Sequence, residues 1–131
     1  MPQLQNVVLK DRQATPADHT FTPLDISNGV GTVVESSGVP VGQNRLTISQ
    51  RSSAGKFRPS LRLALPVVQT QTINGVATPV VVRTAYVEVN FTFDATSTFD
   101  ERNNLVGLLS SALDPSKALI NDTVVNLQGV Y

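Results

Sequence analysis

Between the N-terminus and Asp94, short apolar runs and stretches of alternating apolar and polar residues are separated by turn signals, and this pattern predicts strands. Residues 4–10 and 19–24 read as two short strands around a polar turn containing Pro16, which makes an N-terminal hairpin. Asn28-Gly29 supplies a turn into a strand over 30–36, whose end is marked by Ser37-Gly38 and Pro40. The next hairpin has two unlike faces. Arg45, Thr47, Ser49 and Arg51 share one side, while Leu46 and Ile48 share the other. Beyond the Ser52-Ser-Ala-Gly55 turn, Arg58, Ser60 and Arg62 oppose Pro59, Leu61, Leu63 and Leu65. Residues 69–79 read as a long polar connection with Asn74-Gly75 at its tip, the pair best suited to positive φ. A long strand follows over 80–94, with Ala85, Val87, Val89, Phe91 and Phe93 on one face and Tyr86, Glu88, Asn90, Thr92 and Asp94 on the other.

At Thr98 the period changes. Thr98 with Glu101 three residues later is a capping-box pattern, and Asp100 and Glu101 suit the positive end of a helix dipole. Leu105, Leu108, Leu109, Ala112 and Leu113 then form one apolar stripe at helical spacing. Asp114-Pro115 ends this helix and opens a second, expected to run to about Gln128, where Gly129 stops it. Strands first and helices last predict an α+β fold: an N-terminal β-hairpin, an antiparallel β-sheet and two C-terminal α-helices. The helices are expected over the apolar face of the sheet, leaving the polar face open.

Charge sharpens the picture of that open face. The formal net charge is +0, yet no acid occurs between Glu35 and Glu88, where Arg45, Arg51, Lys56, Arg58, Arg62 and Arg83 all fall. A basic sheet with hydroxyls between its cations suits a phosphate backbone, which takes positive charge for affinity and neutral donors for register. The plain alternative is a solvated strand face. The length of 131 residues and 40% apolar content fit one domain with a real core. With no cysteine, disulfides and thiolate metal sites are excluded. The N-terminus shows no signal-peptide pattern, and no apolar run approaches the roughly 20 residues of a bilayer span, so no membrane partner is expected. The sequons at Asn90 and Asn121 are then read as chance matches.

Catalytic chemistry finds no support. His19 is the only histidine and has no nucleophile motif around it, Asp100 and Glu101 are accounted for by a helix start, and Gly29-Val-Gly31 is a turn rather than a phosphate loop. Scattered carboxylates have no metal-ligand spacing, so neither a metal nor a cofactor is expected.

Several stretches, in order and spacing, carry a resemblance over essentially the whole chain. They are Asn28-Gly-Val30, Thr47-Ile-Ser49 with Arg51-Ser-Ser-Ala, the run of residues 67–76 followed by Pro79, Arg83-Thr-Ala-Tyr86, and Gln128-Gly-Val-Tyr131. In these the chain resembles the coat proteins of single-stranded RNA bacteriophages, the levivirus group. The resemblance implies an intertwined homodimer in which the helices cross the partner's sheet. It also implies an icosahedral shell of such dimers around the genomic RNA, assembled in the bacterial host cytoplasm. A further implication is that the sheet face binds an operator hairpin at the start of the replicase gene and represses its translation.

By position, the resemblance assigns RNA contacts to Arg45, Thr47, Ser49, Arg51, Arg58, Ser60, Arg62, Tyr86 and Glu88, with Val30 beside them. Thr47, Ser49, Ser60, Arg62 and Val30 would form pockets for unpaired adenines, Tyr86 would offer a ring for stacking, and Glu88 would accept from a base or hold an arginine. The loop carrying Asn74, Gly75 and Pro79 corresponds to the one around the shell's symmetry axes, where dimers meet. The rival reading is a β-rich RNA-binding module that does not assemble.

Overall fold

A computed structural model describes residues 2–36 and 40–131, and the strand end read at Ser37-Gly38 lies outside these described residues. The chain divides into two compact units, Met1–Thr92 and Phe93–Tyr131.

In the first unit, β1 (Val7–Lys10), β2 (Asp18–Ser27), β3 (Val30–Glu35), β4 (Asn44–Ser53), β5 (Lys56–Ile73) and β6 (Val76–Asn90) form an antiparallel meander in which each strand pairs with the next. A short 3-10 turn at Pro40–Gly42 lies in the β3–β4 connection. Three of the hairpin turns explain the simple order. Asn28-Gly29, Ala54-Gly55 and Asn74-Gly75 each place both central residues at positive φ, which is what the two-residue type I′ turn needs to match the strand twist.

The stretch 69–79 is not a polar connection. It continues the ladder, with Gln69 opposite Val80, Thr70 opposite Pro79 and Ile73 opposite Val76, so only the tip at Asn74-Gly75 turns. β4 pairs with β5 no farther than Ala64, leaving the remainder of β5 with β6 as a two-stranded ribbon. The tight turn at its tip sets the register of this ribbon, so it forms without strict apolar alternation. From Leu63 to Val82 the ribbon and its root contain no charged residue. Consequently β6 starts at Val76 instead of Val80; it ends at Asn90, and Phe93–Asp94 is a separate short strand, β7.

Directly opposed residues on antiparallel strands share a face, so the register aligns Val33, Leu46, Leu63 and Val87 in one apolar row. At the β3 end of this row Phe21, Val33 and Leu46 are buried, with Leu4, Val7, Leu61 and Leu63 packed against them. Farther along the same face Ile48, Leu65 and Val87 are exposed.

The second unit holds β7 and two helices, α1 (Phe99–Ala112) and α2 (Ala118–Val124). The capping box forms as read: Thr98 Oγ accepts from the Glu101 N–H, and Glu101 Oε2 accepts from the Thr98 N–H, both at 3.3 Å. Arg102 ties the same turn down by donating to Ser97 O at 2.7 Å. The second helix departs from expectation at both ends. Asp114 caps a turn instead of a helix, its carboxylate accepting from the Ser116 N–H at 2.9 Å while its carbonyl accepts from Lys117, so α2 begins only at Ala118. It ends at Val124, and the left-handed residue that follows is Leu127, at φ +58°, rather than Gly129. Neither helix has a buried residue, and Leu105, Leu108 and Leu113 of the α1 stripe are exposed. No helix is long and apolar enough to cross a membrane among the described residues.

Candidate nucleic-acid interface

The reverse of the apolar face carries the polar rows. Three rungs can be traced across β3, β4, β5 and β6: Val30–Ser49–Ser60–Asn90, Thr32–Thr47–Arg62–Glu88, and Val34–Arg45–Ala64–Tyr86. Arg51 opposes Arg58 one step nearer the Ala54-Gly55 turn. The register therefore gathers Val30, Arg45, Thr47, Ser49, Arg51, Arg58, Ser60, Arg62, Tyr86 and Glu88 on one side of the sheet. Asn74, Gly75 and Pro79 lie apart from them, at the far end of the ribbon.

Relief on this face separates two kinds of group. Val30, Thr32, Thr47, Ser49 and Ser60 are half-buried and form a floor of short side chains, while Arg45, Arg51, Arg58, Arg62, Tyr86 and Glu88 are exposed above it. Adjacent strands stand about 4.8 Å apart, so a planar base could rest on the floor with the arginines within reach of its phosphates. Ser60 Oγ donates to Asn90 Oδ1 at 2.9 Å, which fixes the first rung across the β5–β6 ladder. The Arg62 guanidinium lies 5.5 Å from the Tyr86 ring centroid, in cation–π range. None of Arg45, Arg51, Lys56, Arg58 and Arg62 is engaged in an ion pair among the described residues, so their charge is directed at solvent.

The geometry narrows the charge pattern read from the sequence. Arg83 opposes Val67 and points to the apolar side, so it does not belong to the cationic face. Asp25, on β2, opposes Thr32 and stands on the cationic side at its margin, as Glu88 does on β6. The cations of the acid-free stretch that remain on this side are thus those of β4 and β5, with Asp25 and Glu88 flanking them. Thr32 and Asn90 complete rungs but were absent from the sequence-derived set. Their signal was present in the period-two spacing from Val30 and Glu88, although only the register could show that they meet Thr47 and Ser60.

Comparison with known proteins gives a consistent answer. Residues 2–131 match the family model described as Levivirus coat protein. The chain is 61% identical over 130 residues to the capsid protein of Pseudomonas phage PRR1, covering 98% of this chain and 99% of that one. Among solved structures, the virus-like particle of bacteriophage ESE058 superposes with a TM-score of 0.88 at 25% identity, covering 99% of this chain and 100% of that one. The bacteriophage GA protein capsid superposes with a TM-score of 0.79 at 26% identity, covering 98% of both chains.

Proposed function

The chain belongs to the levivirus coat protein family, and from that premise we propose that it forms homodimers that assemble into an icosahedral shell around a single-stranded RNA genome. In this reading the whole of residues 1–131 acts as one coat-protein domain, resident in the virion and assembled in the host cytoplasm, with a structural role and no catalytic one. The cationic face of β4 and β5 binds an operator RNA hairpin and represses replicase translation.

The observation that carries the RNA reading is the register itself. Three rungs place hydroxyls, one exposed tyrosine and arginines that form no ion pair among the described residues on the same side of the sheet. Phosphates supply affinity through the arginines, and unstacked bases supply sequence through the floor and the Tyr86 ring. Self-association has its own support. β6 is the last strand of the meander, and a 15-residue edge is a template for pairing with a second copy. The exposed Ile48, Leu65 and Val87 on the sheet, and Leu105 and Leu108 on α1, are apolar surface of the kind that a partner subunit covers.

Size-exclusion chromatography of the expressed protein, with extraction of its bound RNA, tests the assembly reading. Megadalton particles containing RNA are expected; a stable small dimer would overturn the shell and leave a module. Filter-binding titration of the dimer with hairpin RNAs tests the second activity, and equal affinity for hairpins and unstructured RNA would overturn operator recognition.

A further inference from the structure

His19 lies away from the cationic face, on the side of β2 shared with Phe21. Its two ring nitrogens are each 2.7 Å from a carboxylate oxygen: Nδ1 from Glu35 Oε2 on β3, and Nε2 from Asp11 Oδ2 in the β1–β2 turn. The chain extends in both directions. Asn44 Nδ2, on β4, donates to Glu35 Oε1 at 2.9 Å, and Asp11 Oδ1 accepts from the Ala17 and Gln13 N–H groups at 3.1 and 3.2 Å. One imidazole thereby joins the N-terminal turn, β2, β3 and β4.

Its position gives the link a task. Backbone pairing between β2 and β3 begins at Thr22 opposite Val34, whereas Asp18–Phe21 pair with β1. His19 to Glu35 therefore bridges β2 to β3 beyond the end of their ladder, next to the apolar contacts of Phe21 and Val7 in the core cluster. A neutral imidazole has one N–H and satisfies one carboxylate; two carboxylate contacts at this distance call for the imidazolium, which has two.

We propose that Asp11, His19 and Glu35 form a proton-operated clasp that fastens the N-terminal hairpin to the sheet and releases it as the imidazolium loses its proton. The surrounding charges are few. Lys10, on β1, is engaged with Asp18 at 3.5 Å, Arg12 follows Asp11 in the turn, and Asn44 on β4 is uncharged. Asp11 and Glu35 are thus the carboxylates in contact with the ring. Hydrogen bonds donated to the Asp11 and then the Glu35 carboxylate raise His19 above its ordinary 6.5, and accepting from His19 holds Asp11 below its ordinary 3.8. The His19 contribution is therefore complete below 6.5 and vanishes as pH rises through the raised folded value. The Asp11 contribution is complete above 3.8 and vanishes as pH falls through its depressed value, so the clasp is closed between these limits and opens on the alkaline side.

His19 is the only histidine, so exchange of its ring C2 hydrogen in deuterated buffer from about pH 5 to about pH 9, read by mass spectrometry on the intact assembled protein, reports its titration directly. The expected midpoint lies above 6.5 and falls back toward it in Glu35→Gln. Amide exchange in peptides spanning residues 5–20 is expected to accelerate across the same midpoint beyond the base-catalysed rise shown by β4 and β5 peptides, and this excess disappears in His19→Gln. A wild-type midpoint at or below 6.5 places the proton elsewhere and overturns the clasp. An excess that persists in His19→Gln also overturns it. The titration and the amide exchange of the wild-type protein together test protonation and release even if a variant fails to fold: exchange in residues 5–20 with no excess across the midpoint overturns the clasp.

Discussion

Arg62→Ala interrogates the cationic face at its centre. The guanidinium sits in the rung between Thr47 and Glu88, is exposed, and touches the fold chiefly through the Tyr86 ring at 5.5 Å. Folding should lose little, because an exposed cation–π contact contributes about 0.5–1 kcal/mol. RNA binding should lose more: a charge-assisted hydrogen bond contributes about 1.5–3 kcal/mol, so affinity should fall roughly ten- to a hundredfold. A second signature separates lost charge from lost shape. One fewer neutralised phosphate makes the slope of log affinity against log salt shallower by about 0.7–0.9, so the deficit should shrink roughly threefold between about 50 and about 200 mM salt. Arg62→Lys keeps the charge but not the planar fork, and should restore the slope while recovering only part of the affinity. Filter binding of one RNA hairpin over a salt series, with a thermal melt of each variant, supplies every quantity. A folded Arg62→Ala protein with wild-type affinity and slope would refute the assignment of this face.

Tyr86 is 64% exposed, so Tyr86→Ala should leave the melting temperature nearly unchanged yet cost about 1–3 kcal/mol of RNA affinity, while Tyr86→Phe keeps the ring and should retain most binding in the same titration. Thr98→Ala removes the reciprocal cap of α1 and should destabilise the protein by about 1 kcal/mol in chemical denaturation. Ala54 sits at φ +54° where the other two tight turns use asparagine, and Ala54→Asn should raise the denaturation midpoint by relieving up to about 1 kcal/mol of left-handed strain.

Much of the cationic face was legible from spacing alone. Alternation in 45–51 and 58–62 sorts arginines and hydroxyls from leucines, and the Ala54-Gly55 turn then brings Thr47 opposite Arg62 and Ser49 opposite Ser60. Polarity misleads where alternation does not: Gln69–Thr72 looks like loop because its side chains are polar, yet each of its residues has a partner across the ladder in β6. Asp114-Pro115 has the composition of a helix start, but the short carboxylate closed a local turn and deferred α2 to Ala118. Asp25 and Arg83 show the limit of counting charges along a chain, since the first joins the cationic side by register and the second leaves it. His19 offered no sequence signal because its partners lie eight and sixteen residues away and meet it only through strand pairing.

The uncharged span from Leu63 to Val82 has a consequence for how an assembly would come apart. Whatever packs on that ribbon meets no group that titrates in the ordinary range and no formal charge for counterions to screen. In the proposed shell, changes of acidity or salinity would leave such contacts largely untouched and act first on the arginine-bearing strands or on the N-terminal turn, so gentle ionic treatments should release RNA before they separate any neighbours that meet through the ribbon.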